Sequence, residues 1–126
     1  MERLTNISVN DIKNDSLNIA LNFAKEYNVN LILKSASSII TNGKDIRISN
    51  FGNTGLAKGG SGDILSGILS GLLAYLDIDT FTICNMAPYI LGRAAEFAKE
   101  DIEEECILPK DIIGNINKVI KEIKNE

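Results

Sequence analysis

A glycine-rich loop lies directly before the most apolar helical pattern of the sequence and ends on a carboxylate. The unit Gly59-Gly60-Ser61-Gly62 is followed by Asp63 and preceded by Lys58. Backbone N–H groups of such a loop can point at one spot, and the first turn of a helix adds N–H groups and the positive end of its dipole. The pattern indicates an anion site suited to phosphate, with Lys58 as a mobile positive charge beside it.

Asp63 needs another role, because a carboxylate inside a phosphate site would repel the ligand. At the edge of the site it can accept a proton from a substrate hydroxyl as that oxygen attacks phosphorus. The chain has no histidine, so proton transfer falls to a carboxylate, lysine, tyrosine or water. A plain turn with a dipole-stabilising aspartate is the alternative, and spacing alone leaves both readings open. Neither the Walker pattern nor the dinucleotide fingerprint is present.

Length and composition predict one soluble domain, residues 1–126, with 44% hydrophobic and 24% charged residues. The net charge is −4, and the acidic run at residues 96–105 is interpreted as a solvated helix end and loop. There is no basic face for nucleic acid, no membrane span and no secretory signal, so the expected location is the cytoplasm. Cys84 and Cys106, without histidine, form no zinc pattern and read as a buried thiol and a loop thiol.

Hydrophobic periodicity predicts the elements before the loop. Residues 8–27 read as one helix with Ser8 as its N-cap. Strands follow, the first of them buried and the last two joined as a hairpin by an Asn-Gly turn. In the last strand, the alternation places Ile46 and Ile48 inward. The predicted strands are 29–34, 37–41 and 45–49.

Three helices are predicted after the loop, at residues 63–76, at 80–99 and from Leu108 onward. Gly67 and Gly71 within the first of them suggest the close approach of another backbone. Pro88 predicts a kink or a break in the second. The order of elements is α/β, and so short a sheet is typical of part of a larger fold.

The loop and its surroundings resemble a known family. "GNTGLAKGGSGDILSGILSGLLA" is similar to the signature of ADP/ATP-dependent NAD(P)H-hydrate dehydratases, which are carbohydrate-kinase-related members of the ribokinase-like superfamily. Thr54 stands where that signature usually has proline, and Lys58 where it has threonine. "MERL" and "LILKSASSII" resemble two further motifs, with Ser35 at a usual glycine. The resemblance covers nearly the whole chain and implies a partial ribokinase-like fold.

The resemblance implies the repair of hydrated NADH and NADPH (NADHX and NADPHX). The ring hydroxyl is phosphorylated by ADP or ATP and phosphate is then eliminated, with Mg²⁺ expected but no metal ligands assignable. Asp63 would contact the hydrated dinucleotide as base, Gly62 would lie at the nucleotide phosphates, and Asn53, Gly59 and Gly60 would shape the loop. The residues implied to line the nucleotide are Lys34, Ser35, Ala36, Ser37 and Ser38.

The family's domain is longer than this chain, and its earlier half supplies several strands and much of the hydrate-binding surface. We therefore expect a C-terminal half that forms a homo-oligomer or associates with a missing N-terminal half. Two other functions stay open: a ribokinase-like kinase of a small alcohol or carbohydrate, and a non-catalytic nucleotide-binding half-domain that associates with another chain. Release of reduced cofactor, formation of a stable phosphorylated alcohol, or no turnover would distinguish them.

Overall fold

The computed structural model describes residues 1–126, which divide into two compact units, 1–49 and 50–126. The first unit contains three helices and a three-stranded sheet, and the second contains three longer helices. The α/β class predicted from the sequence is confirmed. No helix combines the length and the apolar character that a bilayer crossing requires.

The first unit begins with a short helix, α1 (Glu2–Thr5), followed by α2 (Val9–Asn14) and α3 (Ser16–Tyr27). Ser8 is the N-cap of α2, as predicted: its hydroxyl accepts from the Asp11 N–H at 3.1 Å and donates to the Asp11 carboxylate at 2.6 Å. The prediction of one helix over 8–27 is wrong, because Asp15 leaves the helical conformation, with φ −138° and ψ 46°. The break lets α3 start in a new phase, with Ala20 and Ala24 on its buried face.

The sheet consists of β1 (Leu31–Leu33), β2 (Ser38–Thr41) and β3 (Ile46–Ser49), antiparallel and in sequence order. The predicted hairpin is confirmed, and Gly43 takes a positive φ of 87° in its turn. β1 is half-buried rather than buried. The inward position predicted for Ile48 is also wrong: its side chain is 54% exposed, whereas its β2 partner Ile39 is buried.

The second unit packs α4 (Ser61–Tyr75), α5 (Thr80–Lys99) and α6 (Pro109–Asn125) around one core. Two 3₁₀-helices, Thr54–Ala57 and Glu104–Cys106, lie in its connections. All three α-helices are predicted by the sequence, although α4 begins two residues earlier, at Ser61. α5 continues through Pro88 without a break, and its central residues fill the core. Cys84 is buried and Cys106 is exposed, as predicted.

The close backbone approach expected at Gly67 and Gly71 is not found in this unit. A Cβ added at either position would have no heavy atom within 4 Å. The tight contact occurs on α5 instead, where a Cβ on Gly92 would lie 2.6 Å from the backbone carbonyl of Phe51. Gly92 therefore allows the segment that leads into the glycine loop to lie directly against α5.

This difference between two helical glycines is testable. We expect Gly92→Ala to lower the free energy of unfolding by roughly 1–3 kcal/mol, because the added methyl overlaps the Phe51 backbone. Gly67→Ala should raise it by about 0.5–1 kcal/mol, because the helix gains propensity without a clash. Urea unfolding of the three proteins measures both changes. Equal effects of the two substitutions would contradict the packing described for α5.

Candidate functional site

The loop that precedes α4 is fixed to α5 at its start. Asn53 Nδ2 donates to the carbonyl of Ala95 at 2.8 Å, while its Oδ1 accepts from the Gly55 N–H at 3.0 Å. Gly52, with φ 116°, donates its N–H to Glu96 Oε1 at 2.8 Å. The Asn53 side-chain amide therefore connects the 3₁₀ turn at Thr54–Ala57 to α5.

Glu96 is itself held in place by Arg93, which forms ion pairs with Glu96 at 2.5 Å and with Glu122 of α6 at 2.6 Å. The hydrogen bond to Glu122 and, to a smaller extent, the hydrogen bond to Glu96 raise the pKa of the Arg93 guanidinium above its usual value. The chain of contacts links α6, α5 and the start of the loop. From the sequence, Glu96 is interpreted as part of a solvated acidic run. The contacts of its carboxylate with Gly52 and Arg93 are therefore not predicted.

A second carboxylate of the same run, Glu104, anchors the middle of the loop. Its Oε1 accepts from the N–H of Thr54 at 2.6 Å and from the Thr54 hydroxyl at 2.7 Å, and its Oε2 pairs with Lys99 at 2.6 Å. The hydrogen bond from Lys99, followed by those from Thr54, lowers the pKa of Glu104 to about 2. Two members of the run 96–105, Glu96 and Glu104, thus have specific hydrogen-bond partners as well as partial contact with solvent.

Lys58 is not the mobile charge that the sequence predicts. Its Nζ donates to the carbonyl of Ile107 at 2.7 Å and also to the carbonyl of Glu105. The side chain is half-buried in this position. Lys58 therefore ties the loop to the segment that leads into α6, and its ammonium is directed at backbone oxygens instead of an open anion site.

Gly60 and Ser61 turn the chain into α4. Gly60 is the N-cap residue, with φ 97°, and a Cβ there would lie 3.2 Å from Pro109. The Ser61 side chain is buried, and its hydroxyl donates to the carbonyl of Leu56 at 2.8 Å. No side chain caps the helix. The backbone N–H groups of Gly62 and Asp63 in the first turn thus have no intrahelical acceptor and no capping side chain.

The surface at the start of α4 is open. A Cβ on Gly59 or on Gly62 would have no heavy atom within 4 Å, and Asp63 is exposed in the same helical turn. The N-terminus of a helix of 15 residues favours an anion by its dipole and its N–H groups. An exposed carboxylate next to that position can accept a proton from a hydroxyl group placed there.

The segment Lys34–Ser38 belongs to the other unit, where it connects β1 to β2. Lys34, Ser35, Ala36 and Ser37 are exposed, and Ser38 is the first residue of β2. The Ser35 hydroxyl donates to the carbonyl of Ser37 at 2.6 Å. The serine that replaces the usual glycine is therefore accommodated, and its hydroxyl closes the turn.

An apolar groove begins at Asp63 in the second unit. Its volume is about 560 Å³, and Gly67 and Gly71 of α4 and Ile113 and Ile116 of α6 line it. The side chain of Ile113 is 55% exposed, while its neighbour Ile112 is buried. The small residues of α4 thus face an open groove that leads to the carboxylate.

The chain offers no complete set of metal ligands. No group of three or more His, Cys, Asp or Glu side chains in residues 1–126 could hold a metal ion. Asp63 is the one carboxylate among the residues that line the groove. The arrangement can place an anion at a helix terminus and a base beside it, and any metal would need ligands from elsewhere.

The contacts of Glu104 predict a pH dependence of stability. Because its pKa is lowered to about 2 in the folded protein, its contribution is present above the ordinary carboxyl pKa near 4.5 and is lost as the pH falls from that value towards 2. We expect Glu104→Gln to be less stable than the parent at pH 7, with the difference shrinking through this window. Glu103→Gln is the control, since the Glu103 side chain has no such partners. A pH-independent difference for Glu104→Gln would contradict the account.

Comparison with known proteins gives consistent matches over almost the entire chain. Residues 1–118 match the family of NAD(P)H-hydrate dehydratase. The bifunctional NAD(P)H-hydrate repair enzyme Nnr of Escherichia coli is 39% identical over 119 residues, which are 94% of this chain and 23% of that protein. The protein of the same name from Helicobacter pylori is 39% identical over 115 residues, or 90% of this chain and 24% of the other.

A solved structure has the same fold. The ADP/ATP-dependent NAD(P)H-hydrate dehydratase from Bacillus subtilis, co-crystallized with ATP/Mg²⁺, matches with a TM-score of 0.89 at 26% identity, over 96% of this chain and 44% of that one. This likeness confirms the partial ribokinase-like α/β fold. The chain spans about a quarter of the length of the curated relatives that it matches.

Proposed function

The chain belongs to the NAD(P)H-hydrate dehydratase family, and we propose that residues 1–126 form one C-terminal, nucleotide-binding part of a dehydratase domain that repairs NADHX and NADPHX. The observation that carries this proposal is the start of α4. Gly59 and Gly62 leave the first helical turn open, and the exposed Asp63 lies in that turn.

We assign the nucleotide to two segments of the chain. Gly62 presents its N–H to the phosphates at the positive end of the α4 dipole, while Lys34 to Ser38 line the nucleotide. Gly59, Gly60 and Ser61 shape the turn, and Asn53 and Lys58 act through the hydrogen bonds that hold it. The Bacillus subtilis relative, co-crystallized with ATP/Mg²⁺, supports ADP or ATP as the co-substrate.

Asp63 is assigned as the general base of the first chemical step. The ring hydroxyl of the hydrated dinucleotide gives its proton to the Asp63 carboxylate as its oxygen bonds to the terminal phosphorus. The bond from that phosphorus to the leaving nucleotide breaks at the same centre. The phosphorylated oxygen then leaves the ring as phosphate, a neighbouring carbon loses a proton, and the ring double bond returns. The exposed position of Asp63 in the first turn of α4 gives it access to such a hydroxyl.

Magnesium would neutralise the phosphate oxygens in such a transfer. The residues of this chain do not form a complete site for it, since no cluster of three metal-binding side chains is present. We therefore assign no residue as a metal ligand and no step to the ion.

The match covers less than half of the Bacillus subtilis enzyme, which supports an active site whose remaining walls lie outside these 126 residues. We propose that they come from an N-terminal half of the domain or from association with another chain. The open apolar groove that starts at Asp63 supports this, because a surface of that kind is usually covered in a working protein.

A chimera tests the proposal directly. Residues 1–126 replace the matched segment of the Bacillus subtilis dehydratase, and recovery of NADH from NADHX is measured with ADP and with ATP. We expect turnover in the chimera and a loss of about 10²-fold or more with Asp63→Asn, because the general base is removed. Asp77→Asn, beyond the other end of α4, is the matched control and should retain activity.

The products of the same assay separate the alternatives. A stable phosphorylated alcohol without release of NADH would support a ribokinase-like kinase instead. Nucleotide binding without any turnover would support a non-catalytic half-domain. Full activity of Asp63→Asn would contradict the role assigned to that carboxylate.

A further inference from the structure

A second cavity lies entirely within the first unit and has a different character from the groove on α4. It has a volume of about 510 Å³ and is bounded by α1, α2, the first residue of α3 and the end of β1. Val9, Ile12 and Leu33 give it apolar walls. This volume is in the range of pockets that hold small organic ligands.

Cations outnumber carboxylates around this cavity. Arg3, Lys13 and Lys34 all line it, and Glu2 is the one acidic residue among the lining side chains. The ion pairs of the chain are formed by other cations, so neither Arg3 nor Lys13 has a carboxylate partner. Arg3 and Lys13, neither of them in an ion pair, therefore border a cavity whose lining contains a single carboxylate, that of Glu2.

The cluster is also an exception within an acidic protein. Residues 50–126 carry seven Lys and Arg against twelve Asp and Glu, whereas residues 1–49 carry six against five. The first unit thus has a formal charge of +1 and residues 50–126 have a formal charge of −5, so the net charge of the first unit does not repel an anion.

We propose that this cavity binds a phosphate group of the substrates and that Arg3 and Lys13 supply its counter-charges. The inference rests on the proposed function, because Lys34 and Ser35, the first residues of the assigned nucleotide segment, line the same cavity. The planar guanidinium of Arg3 can donate two hydrogen bonds to phosphate oxygens, and Lys13 can act as a point charge. The apolar walls suit the organic part of a phosphate ester.

Arg3 and Lys13 also have a structural interpretation, which the test must separate. Each lies in the last turn of a short helix, α1 or α2, where a cation is stabilised by the helix dipole. A purely structural role would change the free energy of unfolding and leave ligand affinity unaltered. The proposed role would change affinity for phosphate-bearing ligands specifically.

Calorimetric titration of the 126-residue chain with ADP, adenosine and pyrophosphate provides the test. We expect Arg3→Gln and Lys13→Gln each to weaken ADP and pyrophosphate binding about tenfold, with no effect on adenosine. The loss should shrink as the salt concentration rises. Lys44→Gln is the control, because Lys44 is an exposed lysine of the same unit, in the hairpin turn outside the cavity. Unchanged ADP and pyrophosphate affinities in both variants would overturn the inference.

A comparison of NADPH with NADH identifies which substrate supplies the phosphate. If the parent prefers NADPH to NADH and this preference disappears in Arg3→Gln and Lys13→Gln, the cavity binds the additional phosphate of the dinucleotide. If the parent binds NADPH and NADH equally and the two variants have a reduced affinity for ADP, the cavity binds a phosphate of the nucleotide. ADP binding and an NADPH preference that are both unchanged by the two substitutions would overturn this inference and leave the proposed function intact. If the chain binds pyrophosphate through Arg3 but does not bind ADP, the proposed nucleotide site is contradicted and the phosphate-binding cavity is retained. Binding of none of these ligands would refute both.

Discussion

The hydrogen bonds that hold the glycine loop determine where the first turn of α4 points. Four side chains form these hydrogen bonds. Asn53 and Glu96 connect the loop to α5, and Glu104 and Lys58 connect it to the segment before α6. A loop rich in glycine has high conformational entropy when unfolded, so it needs such anchors to present its N–H groups in one direction. The open helix terminus and the exposed Asp63 are useful for chemistry only because this frame is fixed.

Two departures from the family signature belong to this frame. Thr54, at the position of a usual proline, donates both its N–H and its hydroxyl to Glu104, and proline has neither donor. Lys58, at the position of a usual threonine, reaches the carbonyls of residues 105 and 107. The substitutions therefore add contacts between the loop and the 104–107 segment. They alter how the turn is held and leave the open positions, Gly59 and Gly62, unobstructed.

Local patterns predict the local features of this protein well. The N-cap at Ser8, the hairpin and the presence of a helix after the glycine loop follow from residue types within a few positions of one another. The break at Asp15 is a local feature that the sequence pattern misses, whereas the errors in the acidic run arise where distant residues decide. The hydrogen bonds of Glu96 and Glu104 join residues more than forty positions apart, and no pattern in the acidic run indicates them.

The packing around the helical glycines also depends on distant residues and is not indicated by the local sequence. Gly67 and Gly92 both lie within helices, yet only Gly92 has a backbone packed against it. The sequence also identifies Lys58 as a cation near the loop without indicating which oxygens its ammonium meets. The candidate site could thus be found from the glycine spacing and the position of Asp63, whereas the contacts that make it rigid required the structure.

The central claim is that the open first turn of α4 receives the phosphates of the nucleotide. Its most direct test is the affinity of the 126-residue chain for ADP after Gly62→Ala, compared with Gly67→Ala on the same helix. Both positions leave room for a methyl group, so both variants should fold with unchanged or higher stability. The account predicts that Gly62→Ala weakens ADP binding by about tenfold or more, because the methyl group occupies the approach to the backbone, while Gly67→Ala binds as the parent does. Equal ADP affinity in the parent and both variants would show that the phosphates do not bind at this helix terminus.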